Sequence, residues 1–446
     1  MLSFGEWFRW FRSLPWSVKW FVLLVLLRPL IDGFYTLKRI SPFVSPLYIV
    51  GILTPILTLV AVLKLPAPKR SKLDTWFKAW GLLIAISLLF LFFRDATSIR
   101  FLQYLFKLTM PLYLFAFLRY FVRSERELNG LLQAFLYSTL IVAGVFLFEV
   151  FMGPIRVEES RGFTRIQGFF GDVVNYGIYL TQGFLVTAYF HLRRPSGESE
   201  LKSFIRLGVA VFLATALLLN IHHTATLGVF ATLLLLFLYF ERQRRPGLIA
   251  FLSILIIAGS LYVGRSFLQE NVIPLIEEEI EVLQGDAQAG KLLHGRVSRW
   301  QSMWGRFTEE GPWAVFFGYP LGKGYPYQMI SAGAHNDYIR ILFMSGLFGL
   351  IVYLGILQQW LRRLKGLTRA HRFLATGGLL IIVLFSLTTT PTMYPPMLYV
   401  LYSIFAFIAL PQRPQNAPSP DPDTRKKAPT VHGALSDDRD HPELLS

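Results

Sequence analysis

Three features of this sequence predict an all-α, polytopic membrane protein. Its 446 residues are 53% hydrophobic and only 16% charged, where a soluble chain of this size carries about 25% charged residues. Apolar runs of roughly 18 or more residues recur along it, each long enough to cross a ~30 Å hydrocarbon core as a helix. Lys and Arg concentrate in every second connection between those runs. The alternating ~10-residue segments of a membrane β-barrel are not seen. A net charge of +16 suggests nucleic acid in a soluble protein. Here its placement points to membrane lipids instead, and no nucleic-acid partner is expected. The absence of cysteine excludes disulfides and thiolate chemistry.

Residues 1–17 carry Trp7, Phe8, Trp10, Phe11 and Trp16 among Arg9 and Arg12. This reads as an interfacial helix without the small-residue cleavage site of a signal peptide. Twelve spans then fall near 18–37, 43–63, 75–93, 99–120, 129–151, 172–191, 204–221, 224–240, 247–265, 337–361, 373–388 and 394–410. Nine lie within 18–265 and three within 337–410. The basic connections hold Lys64/Lys69/Arg70/Lys72, Arg119/Arg123/Arg126, Arg193/Arg194/Lys202/Arg206, Arg242/Arg244/Arg245 and Arg362/Arg363/Lys365/Arg369/Arg372. The positive-inside rule therefore predicts cytoplasmic termini. Inside the first span, Arg28 and Asp32 are four apart, which places them on one helix face as an ion pair. Charges at that depth are costly and mark either function or a lock between helices. Glu149 and Lys107 are weaker cases of the same kind. The connection 152–171 is short and polar. The tail 411–446, rich in Pro, Asp, Arg and Ser, reads as disordered.

A long external loop, 266–336, separates spans nine and ten, and a loop of that length in a compact protein is usually functional. It opens with Ile273, Ile276, Ile280 and Leu283 at helical spacing among glutamates, an amphipathic helix on the bundle or membrane surface. A second helical stretch, 291–307, holds Arg296, Arg299, Trp300, Trp304 and Arg306. A Gly/Pro/Tyr-rich turn follows at 318–327, and then His335-Asn336-Asp337-Tyr338 runs into span ten.

Gly295-Arg296-Val-Ser-Arg299-Trp300, the Pro-Leu-Gly-Lys-Gly turn at 320–324, and His335-Asn336 ahead of Gly346-Leu-Phe-Gly349 resemble the signature of the O-antigen ligase/O-antigen polymerase superfamily. Thr164-Arg165-Ile-Gln-Gly168 with Asn175 is similar to that family's Arg-x-x-Gly…Asn stretch between spans five and six. The family often has a Ser-Arg or Thr-Arg pair between spans seven and eight. This chain has His222-His223-Thr224-Ala225-Thr226 there instead.

The resemblance implies a bacterial inner-membrane enzyme with its site on the periplasmic face. It moves an oligosaccharide from an undecaprenyl-diphosphate donor to an acceptor hydroxyl, with neither metal nor other cofactor. The residues suit that reaction in their own right. Arginine offers planar, permanently charged donors to a diphosphate, and Arg165, Arg296 and Arg299 are placed outside. Stabilising the departing charge is the help that usually dominates catalysis. His335, of a residue type with an unperturbed pKa of ~6.5, suits the general base, and Asp337 or Asn336 suits orienting its ring. Tyr319, Tyr325 and Tyr327 offer faces to sugars, and His222 and His223 stand where the family has its further cation. Each has a bland counterpart: a histidine at a helix start is often a cap, external arginines meet lipid headgroups, and tyrosines anchor at interfaces.

A polymerase accepts another lipid-linked repeat unit, and a ligase accepts a lipid A–core sugar. The missing Ser-Arg pair favours the polymerase. A chain-length regulator protein is a further partner in that case. The competing classes are a bicarbonate-like solute transporter, which calls for two similar halves with broken helices, and a catalytically silent scaffold.

Overall fold

The computed structural model describes residues 3–34, 37, 45–95, 99–160, 163–167, 170, 173–193, 199–220, 222–241, 280, 284, 292–321 and 335–411. The ninth predicted span, most of the predicted helix at 273–283, Tyr325, Tyr327 and the tail from 412 lie outside these residues. Helix α1 (Phe4–Ser13) precedes α2 (Trp16–Gly33), α3 (Pro46–Lys64), α4 (Lys72–Asp95), α5 (Ile99–Phe121) and α6 (Glu125–Met152). After a hairpin come α7 (Val173–Leu192), α8 (Glu200–Asn220) and α9 (His223–Leu236), which runs on as a π-helical turn to Glu241. The described part of the loop holds α10 (Leu292–Glu309) and α11 (Pro312–Phe317). Then follow α12 (Asp337–Arg363), α13 (Arg369–Thr388) and α14 (Pro395–Ile408). Each predicted span inside the described residues is thus a helix.

Among the described residues, five stretches are long and apolar enough to cross a membrane: Pro46–Lys64, Lys72–Phe93, Glu125–Phe146, Asp337–Gly366 and Arg369–Thr388. The core between helices is aromatic. Phe77 stacks on Phe115 at 3.6 Å and Phe21 on Phe117 at 4.0 Å. The expected interfacial helix is α1, started by a reciprocal Ser3/Glu6 capping box, which satisfies two orphan amide donors at once. It buries Trp7 and Trp10 and leaves Phe4 and Phe8 exposed. The Trp7 indole donates to the Gly130 carbonyl of α6 at 2.9 Å.

The two ends of the bundle differ in charge. At one, Arg119 at the end of α5 pairs with Asp74 at the start of α4 (2.9 Å), and Arg363 at the end of α12 reaches Ser71. Arg193, after α7, pairs with Glu125 at the start of α6, and His371 at the start of α13 faces the same carboxylate. The other end collects the start of α12, the end of α13 and the α8–α9 turn. The polar connection 152–171 proves to hold an antiparallel hairpin, β1 (Val157–Ser160) with β2 (Phe163–Ile166). Its register sets Glu158 opposite Arg165.

Helix α12 is broken. At Gly346 the backbone takes φ 67°, ψ −170°. A Cβ there would stand 2.1 Å from the Phe316 carbonyl carbon, and one on Gly318 (φ 103°) would stand 2.4 Å from the Met344 oxygen. The two glycines let the backbone of α11 lie directly on the break. Gly346→Ala combines about 1–2 kcal/mol of left-handed strain with about 1–3 kcal/mol of overpacking. We expect a clear fall in the apparent melting temperature of the purified protein. Gly144→Ala, where a Cβ meets nothing within 4 Å, is the neutral control.

The Arg28 and Asp32 side chains pair as the spacing predicts, Nε to Oδ1 at 2.8 Å, and both are buried. Tyr399 shares a side-chain hydrogen bond with Arg28. The pair locks α2 into the bundle and does not snorkel to a surface. Removing one partner from a buried pair costs about 3–5 kcal/mol, whereas replacing both by apolar residues is often neutral. Thermal unfolding should therefore show Asp32→Ala far less stable than wild type and Arg28→Met/Asp32→Leu close to it. Equal losses in the two would deny the coupling.

Candidate functional site

The less basic end of the bundle is organised around the last turn of α13. The final carbonyls of a helix have no donors within it, and here two of them accept from side chains of two other elements. The Leu387 carbonyl accepts from Asn336 Nδ2 at 3.2 Å. The Thr388 carbonyl accepts from Arg296 Nη1 of α10 at 3.4 Å. The Thr388 hydroxyl meets that of Thr224 in α9 at 2.7 Å. Arg296 and the His335-Asn336 pair, 39 residues apart by their numbers, are thereby held on adjacent residues of one helix end.

Asn336 is the N-cap of α12, its Oδ1 accepting from the Ile339 amide at 3.0 Å. His335 stands just outside that cap, exposed, with φ 47°. Among the described residues it is the one non-glycine with positive φ. Asp337 is fully buried. Its carboxylate accepts from the Thr392 amide (3.0 Å), the Thr392 hydroxyl (2.8 Å) and Arg340 Nε (2.7 Å). Arg340 also donates to the Thr392 hydroxyl. The sequence expectation gave Asp337 or Asn336 the orienting of the His335 ring or a contact to substrate, and the structure places both at the start of α12. Both side chains are taken up in fastening the start of α12 to α13 and to the turn before α14.

His222 caps α9, its Nδ1 accepting from the Ala225 amide at 3.2 Å, so that nitrogen carries no proton. Its ring lies against Phe385, centroids 5.9 Å apart, and is 9% exposed. It therefore joins the site as a buried cap more than as an open ligand. Tyr319 lies in the short 3-10 turn Tyr319–Leu321. It is fully buried, donates its hydroxyl to the Met303 carbonyl and packs on Phe307 and Phe343. That is a core position, not a platform for a sugar, and burial pushes its phenol pKa well above the ordinary value.

Arg165 lies on β2, and Arg299 lies in α10 one turn after Arg296. The side chains of Arg165, Arg299 and His223 fall outside the described residues, as does all of Tyr325. The sequence reading passed over Thr388, Thr392 and Arg340. The signal available was the run Thr388-Thr-Thr-Pro-Thr392 between two apolar spans, too polar to serve only as a turn.

Comparison with known families places this geometry. Residues 208–354 match the family model described as O-antigen ligase. The matched stretch is 147 of the chain's 446 residues. No curated protein matches it. The domain match bears out the resemblance drawn from the order of the motifs, at the level of a membrane glycosyltransferase of the ligase/polymerase type. It takes in His222, Arg296, Arg299, His335, Asn336 and the Gly346 break. Arg165, Leu387, Thr388 and Thr392 stand outside it.

Proposed function

We propose that the chain moves an oligosaccharide from undecaprenyl diphosphate to an acceptor hydroxyl, as a polymerase of lipid-linked repeat units. It lies in the bacterial inner membrane with twelve spans, both termini in the cytoplasm and the site facing the periplasm. The observation that carries this reading is the meeting of Arg296 and the His335 turn on the end of α13. A basic cluster marks the opposite end of the bundle, and the positive-inside rule makes that end cytoplasmic.

In the proposed step the acceptor oxygen attacks the anomeric carbon of the donor sugar. The bond from that carbon to the diphosphate oxygen breaks, and undecaprenyl diphosphate departs with the electron pair. His335 takes the acceptor proton as general base. Arg296, with Arg299 and Arg165, faces the leaving diphosphate, where charge develops in the transition state. His223, Tyr325 and the region around the His222 cap complete the donor and acceptor contacts. A chain-length regulator is a partner in this reading.

Two other readings remain in play. A ligase shares the donor and differs only in taking a lipid A–core acceptor. A solute transporter uses broken helices whose free ends line a cavity. The break in α12 instead has the backbone of α11 packed against it, which favours the enzyme.

The test is reconstituted protein with an undecaprenyl-diphosphate oligosaccharide as sole substrate, the glycolipids being resolved on a gel. A ladder of repeat units is the expected product. His335→Ala should slow it by about 10²–10⁴-fold, the usual worth of a general base. Arg296→Ala should slow it by about 10²–10³-fold, and Arg306→Ala hardly at all; equal effects of the two arginines would sink the diphosphate role. Product only on adding lipid A–core would make it a ligase, and none with either acceptor would favour transport.

A further inference from the structure

The exposed turn at His335 combines strain with strong anchorage. A non-glycine residue with positive φ costs about 1–2 kcal/mol and persists only where its surroundings over-determine it. Two residues later the anchorage is found. The buried Asp337 carboxylate is gripped by the amide and hydroxyl of Thr392 and by Arg340 Nε, and Arg340 closes the ring on the Thr392 hydroxyl. Thr392 belongs to the short 3-10 turn Pro391–Met393 joining α13 to α14, 55 residues from Asp337. Such a charge-assisted cluster, removed from water, is rigid while complete and costly when opened.

We infer that Asp337, Arg340 and Thr392 form a positioning clasp that fixes the His335 turn opposite Arg296. The inference rests on the proposed role of His335 and extends it to three residues that do not touch substrate. The clasp and the Arg296 contact grip neighbouring stretches of chain, Thr388 and Thr392. Hence the base and the leaving-group cation are referenced to one short segment. The Thr392 hydroxyl is the selective probe. It can be removed while the Thr392 amide still donates to Asp337, so the fold keeps most of its anchorage.

Two readouts separate the clasp from the catalytic role. The chain has no cysteine, so His335→Cys accepts a single nitroxide label whose spectrum reports the order of the turn without any turnover. With Thr392 intact, or as Thr392→Ser, one ordered component is expected. Thr392→Val should add a mobile component. In unlabelled protein, with the acceptor that supports wild-type turnover, Thr392→Val should lower kcat by about 10–100-fold, the scale of an ångström-sized misplacement. KM for the donor should stay within about threefold, and Thr392→Ser should restore kcat. In the His335→Ala background, Thr392→Val should cost little more, as expected of residues acting as a unit. An unchanged spectrum with Thr392→Val, or a kcat loss that simply adds to that of His335→Ala, would overturn the clasp. Wild-type turnover by His335→Ala would overturn the catalytic reading instead, while the spectrum still decides whether Thr392 sets the turn.

Discussion

The carbonyls closing α13 face a shortage of donors that every helix end shares, and side chains from elsewhere in the chain supply part of it. The Phe385 carbonyl accepts from the amide and the hydroxyl of Thr389. Leu387 and Thr388 instead receive side chains from Asn336 and Arg296. These long-range bonds complete the helix end and are at the same time features of the site. The same requirement that closes the helix end therefore brings the arginine and the histidine turn together.

Charged groups deeper in the bundle obey the same rule with a different result. Arg28 and Asp32 answer each other within one helix, and Asp337 is answered by partners from two elements. That pair reaches another helix through the Tyr399 hydrogen bond to Arg28. A carboxylate shared between α12 and the α13–α14 turn fixes the relation of two, and it lies two residues from the strained His335. The contrast in position explains why the first pair reads as a lock and the second cluster as part of the site's architecture.

Much of this was legible in the sequence, for reasons that can be named. Span positions follow from the length of apolar runs, and the structure begins α12 at Asp337 and ends α13 at Thr388, where the sequence placed them. The Arg28–Asp32 pair follows from i,i+4 spacing alone. The burial of Tyr319 was not legible because a tyrosine in a Gly/Pro-rich turn looks exposed, whereas here its ring packs against Phe307 and Phe343. The hairpin at 157–166 has only four residues per strand, too few for a period-2 pattern to stand out. The Thr392 contacts span 55 residues, and no local pattern specifies a partner at that distance.

The glycine motif of α12 acquires a mechanical meaning from these contacts. Gly346 breaks the helix, and Gly318 matches it from the loop side, so the loop segment meets α12 backbone to backbone. Around that contact Met303 and Phe307 of α10, Ala314 of α11, Tyr319 and Phe343 of α12 form a separate small core. Helix α10 carries Arg296, and α12 begins beside His335. The cluster thus ties the two candidate residues together from below, as the end of α13 ties them through Leu387 and Thr388. Two independent constraints on one pair of elements leave little freedom in the gap between them, which is what a reaction needing a base and a leaving-group cation at fixed separation requires. In this light Gly346 belongs to the architecture around the candidate site although it has no chemistry to offer.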